Sequence, residues 1–251
     1  MVRGLQRRVH AGRPALLLPI TDFATRFLLH CEALSSTQEI YAFTVFERVF
    51  TDFGLPAAIR TDNGVPFASP NALYGLSKLA VWWLRLGIRI ERIQPGHPEQ
   101  NGRHEHERMH LTLKQDATKP AAANCLQQQA RFDAFLAQYN QERPHQALGM
   151  RVPAELYTAS PRPYRGLPEL TYPFHDWTAI VTHCGRICFN WRKVNLSQVF
   201  AGQRVGVRQI TERIWLVSFM DYDLGYFDDE TCRLEPIENP FGAKVLPMSP
   251  E

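Results

Sequence analysis

The chain has 251 residues and a mass of 28.8 kDa, which is enough for one or two domains. Its 45% hydrophobic and 21% charged residues are typical of a folded protein and exclude a disordered one. Its apolar runs are far shorter than the ~20 residues that cross a bilayer, and its five scattered cysteines argue against a disulfide framework. We therefore expect a cytoplasmic protein with no membrane partner.

Charge is distributed unevenly along the chain. Residues 1–165 contain 20 Lys and Arg against 14 Asp and Glu, whereas residues 166–251 contain 8 against 11. This asymmetry predicts two units, of which the first is basic and the second mildly acidic. The net charge of +3 favours a nucleic-acid partner only weakly, because many enzymes without polyanionic ligands are equally basic.

The first part of the chain alternates between strand-like and helix-like segments. Residues 15–33 form two apolar pieces around a polar turn, which is typical of a hairpin, and residues 38–53 repeat apolar side chains at the helical period before Gly54. An α/β fold follows from this order of segments. The further segments are a strand over 55–61, a helix over 73–86, a strand over 88–93, a loop over 95–98, and helices over 101–115 and 126–142.

Proline-rich and β-like segments make up the rest of the chain. Residues 158–172 are predicted to be a linker, and residues 173–245 a small all-β domain with short strands separated by turns. The basic residues 1–14 are predicted to be a disordered N-terminus.

Two acidic positions suggest chemistry. Asp62 closes a predicted strand and is followed by an Asn-Gly turn, and residues 101–115 form a predicted helix that carries Glu105 and Glu107. A carboxylate at a strand end and another on a helix that crosses it can share a divalent ion, and hard oxygen ligands suit Mg²⁺ or Mn²⁺. Two such ions can clamp the attacking and leaving oxygens of a phosphodiester displacement. A lone Asp-Asn-Gly sequence, by contrast, is usually only a turn.

Three motifs in order resemble the integrase core of insertion-sequence transposases and retroviral integrases. TDNGVPF (61–67) resembles the strand with the second Asp of the family's Asp-Asp-Glu triad, NGRHEHERMHLTLK (101–114) the helix with the Glu, and YNQERPHQAL (139–148) the end of the core. The resemblance covers about residues 15–160. It implies an RNase H-like α/β fold, followed by a small β-domain, with Asp62 and Glu107 as catalytic metal ligands.

The sequence departs from the family at its first catalytic acid. ITDFATRF (20–27) resembles the second strand of the core, so Asp22 corresponds to an acid of that strand rather than to the first member of the triad. No Asp or Glu precedes Asp22. We therefore expect the core, residues 15–157, to lack its first strand and first catalytic carboxylate, as in an N-terminally truncated copy. Asp22 is a weak substitute candidate.

The identity of the triad Glu is open between two residues. Counting from Asn101 and Gly102 favours Glu105, whereas counting back from Leu113 and Lys114 favours Glu107. Two residues turn a helix by about 200°, so only one of the two can face Asp62. The ungapped match of ERMHLTLK leads us to prefer Glu107.

Basic residues on the same predicted helix are candidate DNA contacts. Arg103, Arg108 and Lys114 either bind phosphates beside the active site or form a solvated helix face. The histidines of this region and the pair Cys184 and Cys188 match no usual zinc spacing.

The resemblance implies a transposase or integrase that joins DNA by Mg²⁺- or Mn²⁺-dependent phosphoryl transfer, as a homo-multimer bound to the ends of a mobile element and to its target. Loss of the first Asp predicts impaired strand transfer. The alternative is a catalytically inactive transposase fragment that binds DNA or the intact transposase.

Overall fold

The computed structural model of the protein describes residues 6–10, 13–34, 36, 38–93, 109, 111–113, 115–118 and 124–242. The chain divides into two compact units, of which the first comprises Met1–Phe67, Ile88–Arg165 and Ala243–Glu251, and the second Ala68–Gly87 and Gly166–Gly242. Mixed helices and strands in the first unit and a β-rich second unit confirm the predicted α/β fold class. The break at residue 165 falls within the predicted linker, whereas Ala68–Gly87 join the second unit instead of the predicted core. The predicted domain limits themselves stay a prediction.

The described helices and strands are numbered in chain order. The helices are α1 (Glu39–Phe53), α2 (Lys78–Arg85), α3 (Cys125–Gln141) and α4 (Pro153–Leu156). The strands of the first unit are β1 (Gln6–His10), β2 (Arg13–Thr21), β3 (Leu28–Leu34), β4 (Ala58–Thr61) and β5 (Arg89–Arg92). Those of the second are β6 (Trp177–Ile180), β7 (Arg186–Phe189), β8 (Arg192–Asn195), β9 (Arg204–Gln209), β10 (Ile214–Phe219), β11 (Tyr222–Asp228) and β12 (Leu234–Pro236).

The strand β1 corrects two expectations about the N-terminus. Residues 6–10 pair antiparallel with β2, from Gln6 opposite Leu17 to His10 opposite Arg13, although disorder is predicted over 1–14. The strand expected to be missing before β2 therefore has a counterpart, and its sequence QRRVH contains no acid. The physical reason is that antiparallel pairing satisfies backbone hydrogen bonds of both segments, which polarity alone does not reveal.

The first unit places α1 and α3 on opposite faces of the β1–β2–β3 sheet. Arg48 of α1 pairs with Glu32 of β3 at 3.0 Å, whereas the neighbouring Cys31 is buried in a cluster with Phe132 and Phe135 of α3. Successive side chains of a strand point to opposite faces, so the two helices cover different sides of β3. Helix α1 buries Ala42, Val45, Phe46, Val49 and Phe50, which confirms the predicted helical stripe.

The end of α1 is fixed by Gly54 and by a strap of residues 160–164. Gly54 has φ +78°, and a Cβ there would lie 2.6 Å from the carbonyl oxygen of Ser160, so only glycine fits. The Ser160 amide donates to the Phe53 carbonyl at 2.9 Å, and the Tyr164 hydroxyl lies 3.0 Å from a Glu47 carboxylate oxygen. The beginning of the predicted linker is therefore bound to the first unit.

Asn140 joins α3 to the start of β3. Its side-chain oxygen accepts from the Leu28 amide at 2.8 Å, and its side-chain nitrogen donates to the Leu28 carbonyl at 2.9 Å. Asn140 is only 2% exposed. Because both backbone groups of Leu28 and the whole amide are buried, neither partner can exchange this pairing for water.

The second unit is organised around an antiparallel sheet in the order β12–β11–β10–β9–β6, with β7 and β8 as a separate hairpin. The short strands separated by turns that were predicted for this region are observed. Trp83 of α2, within this unit, is fully buried. No helix within the described ranges meets the length and apolarity needed to span a membrane.

Asn140→Ala is expected to lower the free energy of unfolding by about 2–4 kcal/mol, because it leaves two buried backbone groups of Leu28 unpaired. The measurement is guanidinium chloride denaturation followed by circular dichroism. Gln141→Ala is a matched control on the exposed face of the same helix, with an expected change below about 0.5 kcal/mol. Equal effects of the two substitutions would contradict the role of Asn140.

Candidate active site

Asp62 lies immediately beyond the carboxyl end of β4. The alternating burial of β4, in which Ile59 and Thr61 face the interior, ends here, and the Asp62 side chain is half-buried. One carboxylate oxygen, Oδ1, accepts from the Gly64 amide at 3.1 Å, as in an Asx turn. Within the described residues, no hydrogen bond is made by the second carboxylate oxygen, Oδ2.

The turn after Asp62 is tied to the neighbouring strand. β4 and β5 are parallel, with Thr61 opposite Arg92, and the Asn63 side-chain nitrogen donates to the Ile93 carbonyl at 2.9 Å. The carboxyl ends of parallel strands meet at one edge of a sheet, and sites in α/β folds form at that edge. Asp62 is therefore held where a ligand can reach its carboxylate.

Asp22 lies at the turn between β2 and β3 and serves that turn. Its Oδ2 accepts from both the amide and the hydroxyl of Thr25, at 2.8 and 2.6 Å, and its own amide donates to the Phe27 carbonyl at 2.8 Å. These contacts account for an Asp at this position without catalysis.

An aromatic and ionic cluster connects the Asp22 turn to β4. The guanidinium carbons of Arg26 and Arg60 lie 5.3 and 5.0 Å from the centroid of the Phe23 ring. Arg60 also donates two hydrogen bonds to Glu91 of β5, at 3.0 and 2.9 Å. Because Arg60 precedes Asp62 by two residues, this cluster fixes the strand that carries the candidate acid.

Arg60 and Glu91 are not among the predicted site residues. A signal for their pairing does exist in the sequence, since each follows a buried or half-buried isoleucine at the same place in a predicted strand, Ile59 and Ile90. The register places Arg60 opposite Glu91, although the two strands are far apart in sequence.

The Asp22 turn is packed beneath Tyr157. The Tyr157 ring stacks on Phe27 with centroids 4.2 Å apart and meets Phe53 edge-on at 5.9 Å. Burial, with a smaller contribution from the Asp22 carboxylate, raises the pKa of the Tyr157 phenol. The phenol therefore stays neutral at physiological pH and adds no charge to the turn.

The remaining predicted site residues lie outside the described part of the chain. These are the two alternatives for the triad acid and the three candidate DNA contacts, namely Glu105, Glu107, Arg103, Arg108 and Lys114. Beyond them, the helical residues Met109 and Leu113, together with Ala117, are buried against α3 and β3. Whether Glu105 or Glu107 faces Asp62 stays open.

The fit of a divalent metal can be judged at Asp62. Asp62 is half-buried and, among the described residues, accepts one backbone hydrogen bond, so its carboxylate is a suitable hard donor for Mg²⁺ or Mn²⁺. Among the residues that the structure describes, no group of three His, Cys, Asp or Glu side chains is placed to hold a metal ion. Asp62 thus fits such an ion as one ligand, and further ligands would have to come from elsewhere in the chain.

Asp22→Ala is expected to lower the free energy of unfolding by about 1–2 kcal/mol, because two hydrogen bonds of the β2–β3 turn are lost. Thr25→Val removes one of the two donors, so a double-mutant cycle between positions 22 and 25 should show coupling. The measurement is chemical denaturation, with Asp52→Ala on the exposed side of α1 as control. Unchanged stability of Asp22→Ala would contradict a structural role for this acid.

Comparison with known proteins matches the chain to integrases. Residues 86–153 match the family model described as integrase core domain. Among solved structures, a chain of a simian T-cell lymphotropic virus intasome in complex with PP2A regulatory subunit B56 gamma is 12% identical, with a TM-score of 0.48, and the match covers 88% of this chain and 76% of that one. The HTLV-2 integrase catalytic core domain in complex with magnesium is 13% identical in its trimeric form, with a TM-score of 0.43, 62% of this chain and 95% of that chain being covered.

The family match spans two of the three sequence motifs, at residues 101–114 and 139–148, whereas Asp62 lies before it. Residues 86–153 are therefore similar to an integrase core domain.

Proposed function

We propose that the protein acts in DNA integration and recombination, as an insertion-sequence transposase or integrase whose strand-transfer chemistry is impaired. The observation that carries this proposal is that the two candidate acids within the described residues have different surroundings. Asp62 lies at the edge of β4 and β5 and accepts one hydrogen bond from the Gly64 amide, whereas Asp22 lies in the β2–β3 turn and accepts two hydrogen bonds from Thr25 at Oδ2. The match of residues 86–153 to the integrase core supports the reaction class.

The chemistry of this class is phosphoryl transfer. A bound Mg²⁺ or Mn²⁺ would activate the attacking oxygen and offset charge on the phosphodiester. In this chain Asp62 and Glu107, or Glu105 in its place, are the proposed ligands. Arg103, Arg108 and Lys114 are proposed to bind the DNA phosphates and so to position the scissile bond.

The impairment follows from the number of carboxylates. A two-metal site of this class needs about three acids to neutralise the ions and fix their separation. Strands β1 and β2 contain no Asp or Glu between residues 6 and 21, and the next acid, Asp22, already accepts two hydrogen bonds. Two acids would bind metal weakly and position it poorly, so we infer little or no strand transfer.

A second candidate function is favoured by the same observation. A chain in which Asp62 lies at the strand edge and Asp22 accepts hydrogen bonds within its own turn can bind DNA or an intact transposase without cutting DNA. Such a protein would occupy DNA ends, or join a multimer of active copies, and would reduce transposition.

DNA binding without cleavage is the expected result for the full chain. Fluorescence anisotropy with labelled duplex DNA should show an affinity that falls with salt. The logarithm of the affinity should decrease linearly with the logarithm of the salt concentration, with a slope of about 0.9 for each phosphate neutralised. Incubation of supercoiled plasmid with Mn²⁺ should give no more nicking than Asp62→Asn does. Asp62→Asn is also expected to retain DNA affinity within about twofold, because Asp62 is not a proposed phosphate contact.

Each half of the proposal has its own contradicting result. Nicking clearly above that of Asp62→Asn, by about tenfold or more in rate, would show a functioning metal site and overturn the impairment. Absence of DNA binding even at low salt would overturn the assignment to DNA integration.

A further inference from the structure

The hairpin formed by β7 and β8 in the second unit ends in an unusual residue. Its turn consists of Asn190 and Trp191, whose φ values of +45° and +64° are both left-handed. This conformation is expected for a two-residue hairpin turn, but it is normally supplied by Asn and Gly. A bulky side chain there is strained, and the Trp191 side chain is fully exposed, with a relative exposure of 104%. Stability of the fold therefore does not explain the choice of tryptophan.

The base of the hairpin is firmly anchored, although its tip is exposed. Phe189 packs against the rings of Trp177, Trp215 and Phe227, with centroid distances of 5.3, 4.6 and 5.2 Å. Arg192 donates from Nη1 to the carbonyl oxygens of Asp229 and Glu230, at 2.6 and 3.0 Å. A rigid aromatic side chain on a rigid support loses little entropy when it binds a ligand.

The outer face of the hairpin is basic. Alternation places Arg186 and Lys193 on the exposed face, opposite the buried Ile187 and Val194. No Asp or Glu occurs between residues 186 and 195. In the part of the chain that the structure describes, the Lys193 ammonium has neither an ion-pair nor a hydrogen-bond partner.

The acidic turn next to the hairpin does not cancel this charge. Asp229 and Glu230 present their carbonyl oxygens to Arg192, while their carboxylates pair with Arg213. The charges of that turn are thus partly neutralised within the unit. Lys193 and Arg186, whose Nε donates to Asn195 at 2.7 Å, remain directed to solvent.

We propose that this hairpin is a DNA contact in which the Trp191 indole stacks on a base while Lys193 and Arg186 bind the adjacent phosphates. Base stacking on an exposed aromatic ring combined with a basic strand is the usual mode of binding unpaired nucleotides, and an apolar side chain can also be inserted between the base pairs of a duplex. Lys193 lies on β8, two residues after Trp191, so its ammonium can reach a phosphate next to the stacked base. The inference rests on the proposed DNA function and deepens it by naming a second contact surface.

The test compares labelled single-stranded and duplex DNA of the same sequence by fluorescence anisotropy with the full chain. Trp191→Ala should weaken binding about 5- to 100-fold on the probe whose bases it contacts, which is the effect expected for loss of one stacked base. Trp191→Phe should retain most of the affinity because its ring can still stack. Lys193→Ala should make the dependence of affinity on salt concentration less steep, by the amount expected for the loss of about one phosphate contact.

A matched control is available in the same unit. Phe174 is also strongly exposed, with a relative exposure of 84%, and Phe174→Ala should leave DNA affinity unchanged. Loss confined to the single-stranded probe identifies stacking on unpaired bases, and loss on duplex identifies insertion between base pairs. Either result supports the contact.

Two other outcomes overturn it. If the unaltered chain binds DNA but Trp191→Ala and Lys193→Ala bind equally well, the hairpin is not a DNA contact, and the proposed function stands without it. If Trp191→Ala changes only the oligomeric state in analytical ultracentrifugation, the tip contacts protein instead. Absence of any DNA binding by the unaltered chain would overturn this inference and the proposed function together.

Discussion

The pair of hydrogen bonds between Asn140 and Leu28 connects the parts of the first unit on which the candidate acids depend. It fixes the end of α3 to the first residue of β3, where the turn that holds Asp22 comes to an end. The guanidinium of Arg60 makes a cation–π contact with the ring of Phe23, which lies on the same turn. Arg60 precedes Asp62 by two residues. A helix, a hairpin and the strand before Asp62 are therefore linked through a few contacts, of which the Asn140 pair is buried and the Phe23 ring is exposed. Asn140 belongs to the segment YNQERPHQAL, which therefore supplies a packing contact and none of the proposed metal ligands.

Local patterns predicted the elements whose signals lie within the element itself. Helix α1 begins and ends within a residue of its predicted limits, because its apolar stripe and Gly54 are both local features. The β2–β3 hairpin and the β4 and β5 strands were predicted for the same reason, although β4 is shorter than expected. The position of Asp62 at the end of a strand, and of Asp22 on a turn rather than in a catalytic strand, could likewise be predicted from short motifs.

Features that depend on distant pairing could not be predicted. A polar N-terminal segment forms the strand β1 because it pairs antiparallel with β2. The start of the proline-rich segment lies against the end of α1 because the Ser160 amide donates a hydrogen bond to Phe53. The contact between Arg60 and Glu91 requires the register of two strands separated by a long connection. The strained turn at Trp191 could not be predicted from composition, because it is recognised only by the positive φ and the full exposure of this residue.

We propose that Asp62 belongs to an incomplete metal site and that Asp22 does not. The decisive measurement is electron paramagnetic resonance of Mn²⁺ titrated into the full chain. A single weak site is expected, which Asp62→Asn and Glu107→Gln abolish and which Asp22→Asn and Glu105→Gln leave unchanged. Loss of binding on Glu105→Gln alone would reassign the second ligand. Two coupled Mn²⁺ ions, or loss of binding on Asp22→Asn, would contradict the claim.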